Sequence, residues 1–234
     1  MKLTTTNNRK GFTLVELLVV IAIIVALAAM ATPAIFKALG RAAMAESVSN
    51  GRQIKMIMDS FAMDNDGVYP SEENADFYQT GATDTSNGLF KQLFASGNTN
   101  SEKIFWVKGS QVCNKKRPDD VTTEGGVFAV AKCLEAGDNG WAYVQDQTNV
   151  DNPSRPLIFD SPPTAAGLTF DPDLWDKKAI VVRIDGSAST VRLNPTNQLM
   201  DNDNKELLTN ASEVWGNSDS PPRIAYPLKG SRSN

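Results

Sequence analysis

The hydrophobic pattern is most uneven at the start of the chain. Residues 1–11 are polar and basic, and Phe12–Phe36 are then apolar except for Thr13, Glu16, Thr32 and Pro33. A helix needs about 20 apolar residues to span a bilayer core, so this run predicts a membrane-length helix. The period then changes. Ile54, Ile57, Met58 and Phe61 fall at i, i+3, i+4 and i+7, which is one helical face. Ile35, Leu39 and Ala42 make a similar stripe upstream, and between Ala34 and Asp64 there is no proline and only Gly40 and Gly51. One helix is therefore predicted from Phe12 to about Asn65, on the order of 80 Å long, weakened locally by Ser47, Ser49, Asn50 and Gly51. Asp64-Asn65-Asp66-Gly67 is a stop signal, with glycine suited to the left-handed residue past a helix end.

Beyond residue 70 the pattern shortens. Residues 71–103 are polar and loop-rich, with one short amphipathic helix expected at Leu89, Phe90, Leu93 and Phe94. Apolar or β-branched runs at 104–107, 127–130, 141–144 and 157–159 read as strands. The clearest hairpin is 179–193, where two β-branched runs flank Asp185-Gly186, a dipeptide of two-residue turns. Residues 194–234 read as loops pinned by Trp215 and Tyr226. A long helix followed by strands, with no alternating helices, implies an α+β domain on an antiparallel sheet.

Charge and composition narrow the function. The net charge is −4, and removing Lys2, Arg9 and Lys10 leaves 20 basic against 27 acidic residues, a net of −7. An acidic body with no basic, aromatic-interleaved face argues against nucleic acid as a partner. The chain has no histidine and only two cysteines. This removes the commonest general base, the usual triads and a four-thiolate zinc site, so no enzyme is expected.

The apolar run admits three readings. It could be a plain membrane anchor, with the preceding basic residues holding the N-terminus in the cytoplasm. It could be a cleaved signal peptide, with Ala29-Met30-Ala31 as the small-residue site and a secreted or anchored binding domain as the product. Neither accounts for Glu16, since a carboxylate at membrane depth costs a few kcal/mol and calls for a partner.

Gly11-Phe12-Thr13-Leu14-Val15-Glu16 resembles the N-terminus of type IV pilins and type II secretion pseudopilins. The resemblance implies that a prepilin peptidase cuts between Gly11 and Phe12 and methylates the new amine of Phe12. It implies that Glu16, fifth in the mature chain, pairs with the N-terminal amine of a neighbouring subunit. Pro33 matches the family's helix-bending proline. The helix end, with Phe61, Asp64, Asn65, Gly67, Tyr69 and Pro70, resembles that of the major pseudopilins. The implied organisation is a leader at 1–11, a transmembrane and filament-core helix at 12–36, its soluble half at 37–67 and a globular body at 68–234. The implied partners are other copies of the chain, other pilins or pseudopilins, the peptidase, and an inner-membrane platform protein with a cytoplasmic ATPase. The implied location is the bacterial inner membrane, N-terminus cytoplasmic and body outside, and then the filament. The body is longer than that helix end usually precedes in major pseudopilins, which leaves room for a surface or adhesive role.

Cys113 and Cys133 would then lie outside the cytoplasm, where a disulfide closing a loop of about 20 residues would be worth roughly 3 kcal/mol. No cofactor is required. Calcium is a candidate ligand for Asp201, Asp203 and Glu206, because alternating acidic and amide side chains supply oxygens. A solvated turn is the competing reading there, as a helix end is for Asp64-Asn65-Asp66-Gly67.

Overall fold

The structure, a computed structural model, describes residues 12–120, 122–164, 168–216 and 220–231. The expected leader at 1–11, including Gly11, lies outside the described residues. The chain divides into two compact units, Met1–Ala42 and Ala43–Asn234. Helix α1 (Leu14–Asp64) contributes to each.

In the first unit every described residue is exposed, and the helix has the length and composition to cross a membrane. Pro33 sits inside α1 and does not end it. Its missing N–H orphans one carbonyl of the preceding turn. The hydroxyl of the adjacent Thr32 donates to the Ala28 carbonyl at 2.7 Å, an i−4 back-bond of the kind that bends helices; the carbonyl that Pro33 leaves open is that of Ala29. The stripe Ile35, Leu39 and Ala42 is exposed.

The second unit is α+β and pilin-like: the remainder of α1 followed by an antiparallel five-stranded sheet. Two short helices, α2 (Glu72–Tyr78) and α3 (Ser86–Ala95), precede a two-stranded ribbon of β1 (Thr123–Glu124) and β2 (Val127–Phe128). The main sheet uses β3 (Trp141–Val144), β4 (Pro156–Asp160), β5 (Lys178–Arg183), β6 (Ala188–Arg192) and β7 (Ile224–Ala225). Its order is β6-β5-β4-β3-β7, with every pair antiparallel.

Both faces of the central strands β3, β4 and β5 are buried, which is why they read as near-continuous apolar runs. Trp141, Tyr143, Ile158, Ile180 and Val182 join Ile54, Met58 and Phe61 of α1 in one core cluster. Ala142, Val144, Phe159, Ala179 and Val181 face the other way, against Leu199, Leu207, Leu208 and Trp215. The C-terminal loops therefore form a third layer, and Trp215 anchors it by donating its ring N–H to the Leu207 carbonyl at 2.7 Å. Ile57, on the predicted face, is only half-buried.

The small residues that weaken α1 have a use. Ser47 and Gly51 lie on its buried face. A Cβ at Gly51 would stand 2.8 Å from Val182 Cγ2 and 3.0 Å from the Trp141 ring, so glycine sets how closely helix and sheet approach. The next turn carries Lys55, buried but paired through both carboxylate oxygens of Asp59 at 2.5 and 2.6 Å. Tyr69 donates its hydroxyl to the same carboxylate at 3.0 Å, and the Lys55 ammonium lies 5.6 Å from the Tyr69 ring centroid. A buried charge needs such partners, and these tie the segment after the helix back onto α1.

Five expectations change. The segment 194–234, read as loops, holds strand β7. Residues 104–107 form turns rather than a strand, though Phe105 and Val107 are fully buried. The strand expected at 127–130 shrinks to β2 of the ribbon, turned by Gly125 and Gly126, both at positive φ. Helix α2 was not expected. The β5–β6 turn has three residues rather than two: Gly186 donates to the Arg183 carbonyl, Arg183 to Ser187, and Gly186 takes a positive φ of 81°. That is a type I turn closed by a left-handed glycine.

Candidate functional site

Phe12 is exposed, just before the first turn of α1. Thr13 and Glu16 form a reciprocal cap on that turn. The Thr13 backbone N–H and hydroxyl both donate to Glu16 Oε2, at 2.9 and 2.7 Å, while the Glu16 N–H donates to Thr13 Oγ1 at 3.2 Å. This is a capping box, in which two helix-end donors with no intrahelical acceptor are satisfied by side chains three residues apart. Glu16 Oε1 accepts no hydrogen bond among the described residues. One carboxylate oxygen is thus committed to the chain's own helix end, and the other is open to a donor from outside. The spacing Thr-x-x-Glu carries the capping signal in the sequence, beneath the stronger signal of a carboxylate inside an apolar run.

The remaining candidate residues do not converge on this end. Cys113 and Cys133 are both buried, and the structure contains no disulfide between them. Burial pushes the Cys133 thiol well up, with the nearby Glu102 carboxylate adding to it.

Asp201, Asp203 and Glu206 are not brought together as a ligand cage. Among the described residues no group of three metal-ligating side chains forms. Asp201 instead organises a turn: Oδ1 accepts from the backbones of Asp203 and Lys205 at 2.9 Å each, and Oδ2 from the Ser212 hydroxyl at 2.6 Å. These bonds and the positive charge of Lys205 hold the Asp201 carboxyl below its usual range, against the opposing effect of desolvation. The other acidic cluster is a helix end. Asn65 donates its amide to the Phe61 carbonyl at 2.7 Å and Gly67 donates to Ala62 at 2.8 Å, with Asp66 and Gly67 both at positive φ.

An open pocket of about 710 Å³ lies among Lys115, Lys116, Arg117, Lys132, Glu135 and Asp138. Two of its cations face carboxylates. Arg117 pairs with Glu46 and stacks over Trp106, and Lys132 pairs with Glu124.

Residues 6–32 match the family described as the prokaryotic N-terminal methylation motif. No curated protein and no solved structure matches the chain. The motif covers the capping box and most of the apolar run, and it indicates a prepilin-type processed subunit of a pilus or pseudopilus. It implies processing by prepilin peptidase and assembly with other pilin-type subunits. With the apolar helix it indicates a single-pass membrane-anchored protein.

Proposed function

We propose that this chain is a structural subunit that is cut between Gly11 and Phe12, methylated on the Phe12 amine, and drawn from the inner membrane into a type II secretion pseudopilus or a related type IV pilus. The N-terminus starts in the cytoplasm and the body outside it, as the basic residues ahead of the apolar run favour. A platform protein and a cytoplasmic ATPase supply the work of assembly. The resemblance of the helix end at 61–70 to major pseudopilins favours the secretion filament.

The observation that carries this reading is the methylation motif at residues 6–32 with a carboxylate one turn from Phe12. In a filament the open oxygen of Glu16 takes a neighbour's methylated amine, so that the carboxylate selects axial register instead of remaining an unpaired charge.

Mass spectrometry of the chain expressed with a prepilin peptidase tests it. The expected N-terminus is N-methyl-Phe12, and replacing Gly11 leaves the leader attached. A mature chain starting at Thr32 would overturn the reading in favour of ordinary secretion.

A further inference from the structure

Between Glu16 and Glu46 the only charged residues are Lys37 and Arg41. They stand at i and i+4 on α1, so they share one helix face, and both are exposed. No ion pair or hydrogen bond of either forms among the described residues. Lys37 follows Phe36, the last residue of the apolar run. At 1.5 Å per residue it lies about 37 Å from Phe12 along the helix, and Arg41 about 6 Å beyond. A bilayer core is about 30 Å thick, and about 40–45 Å with headgroups. When Phe12 sits at the outer edge of one headgroup layer, both cations therefore fall in the opposite headgroup layer. Their long stems can lie along Ile35 and Leu39 while the charges reach phosphate.

We infer that Lys37 and Arg41 form a binding site for anionic phospholipid headgroups in the leaflet opposite Phe12. The ligand chemistry is a phosphodiester whose headgroup carries no compensating cation, such as phosphatidylglycerol. Arg41 offers two parallel donors to phosphate oxygens and Lys37 a point charge. The site fixes the depth of the waiting subunit, and it must release its lipids when the subunit leaves the bilayer. The inference rests on the membrane-anchored reading of the chain.

The test reconstitutes the full chain in mixed phosphatidylglycerol and phosphatidylcholine vesicles, followed by gentle detergent extraction and native mass spectrometry of retained lipid. The wild type is expected to retain phosphatidylglycerol in preference to phosphatidylcholine. That preference should fall about fivefold for each of Lys37→Gln and Arg41→Gln, and Lys37→Arg should preserve it. A Glu46→Gln control should leave it unchanged. Insertion with equal retention by wild type and double variant would overturn the inference while leaving the anchor intact. Failure of the wild type to enter vesicles would overturn the anchor and this inference with it. Retention of both lipids alike, lost in the double variant, would show phosphate recognition without headgroup selection and would overturn the proposed specificity.

Discussion

At the scale of single residues, the second unit holds two carboxylates that its interior resists ionising. Glu102 is 1% exposed and accepts the Leu134 N–H, yet burial, reinforced by Asp138, Asp119 and Asp120, pushes it up to about 7. Burial pushes Asp160 up to about 7 as well, although it accepts from the Ile180 N–H and the Trp175 ring N–H. In the unfolded chain both titrate near the ordinary carboxylate range of about 4. Between that range and about 7 the folded chain holds more protons than the unfolded one, so stability falls as pH rises through this window. Glu102→Gln keeps an acceptor for Leu134 and removes the charge. The full chain in detergent should then lose less thermal stability than wild type between about pH 5 and pH 8, and should melt higher at about pH 8. Equal slopes for the two proteins would mean that Glu102 is ionised in the fold at no cost.

At the scale of elements, two glycines separate a packing constraint from a backbone constraint. Gly186 has open space around a would-be Cβ and a φ of 81°, so Gly186→Ala costs only left-handed strain, about 1–2 kcal/mol. Gly51 is helical and crowded. Gly51→Leu recovers about 1 kcal/mol of helix propensity, but it drives a side chain into Val182 and Trp141, where overpacking costs about 1–3 kcal/mol or more. Denaturant titration should show both variants destabilised with unchanged slope. A stabilised Gly51→Leu would show that α1 can lift from the sheet.

The same contrast explains what the sequence revealed. The helix α1 and strands β3 to β6 are legible because each has a sustained period or an apolar or β-branched run. Gly51 read as a weakness because its reason, the Trp141 ring, lies 90 positions away. The run at 104–107 misled because Phe105 and Val107 are buried through turns, and burial alone does not distinguish a turn from a strand. Helix α2 is one short segment whose signal, a Ser71 cap accepting from Asn74 at 3.2 Å ahead of two glutamates, is local and easily passed over. Strand β7 has two residues and is defined by its partner, β3. At the N-terminal end the resemblance singles out Gly11, Phe12 and Glu16, and the structure adds the capping bonds between Thr13 and Glu16, which that resemblance does not contain.

Those bonds decide how assembly should be tested at the scale of the whole molecule. Glu16 caps its own helix, and on the proposed function it also meets a cation from another subunit, so Glu16→Ala removes both. Poor incorporation of that variant into filaments would therefore not identify which capacity matters. Glu16→Gln separates them, because glutamine also completes a capping box but carries no charge for an amine. If the filament contact is ionic, Glu16→Gln should be cleaved and methylated like wild type, keep its helix start, and still fail to enter filaments to about the same degree as Glu16→Ala. Sheared-filament yield set against membrane-retained subunit measures this. Wild-type yield from Glu16→Gln beside a defective Glu16→Ala would reassign Glu16 to the order of its own helix end, and Thr13→Val should then reproduce the defect. On the ionic reading Thr13→Val frays the first turn, at a cost of about 1 kcal/mol, and leaves the carboxylate available to the neighbour's amine.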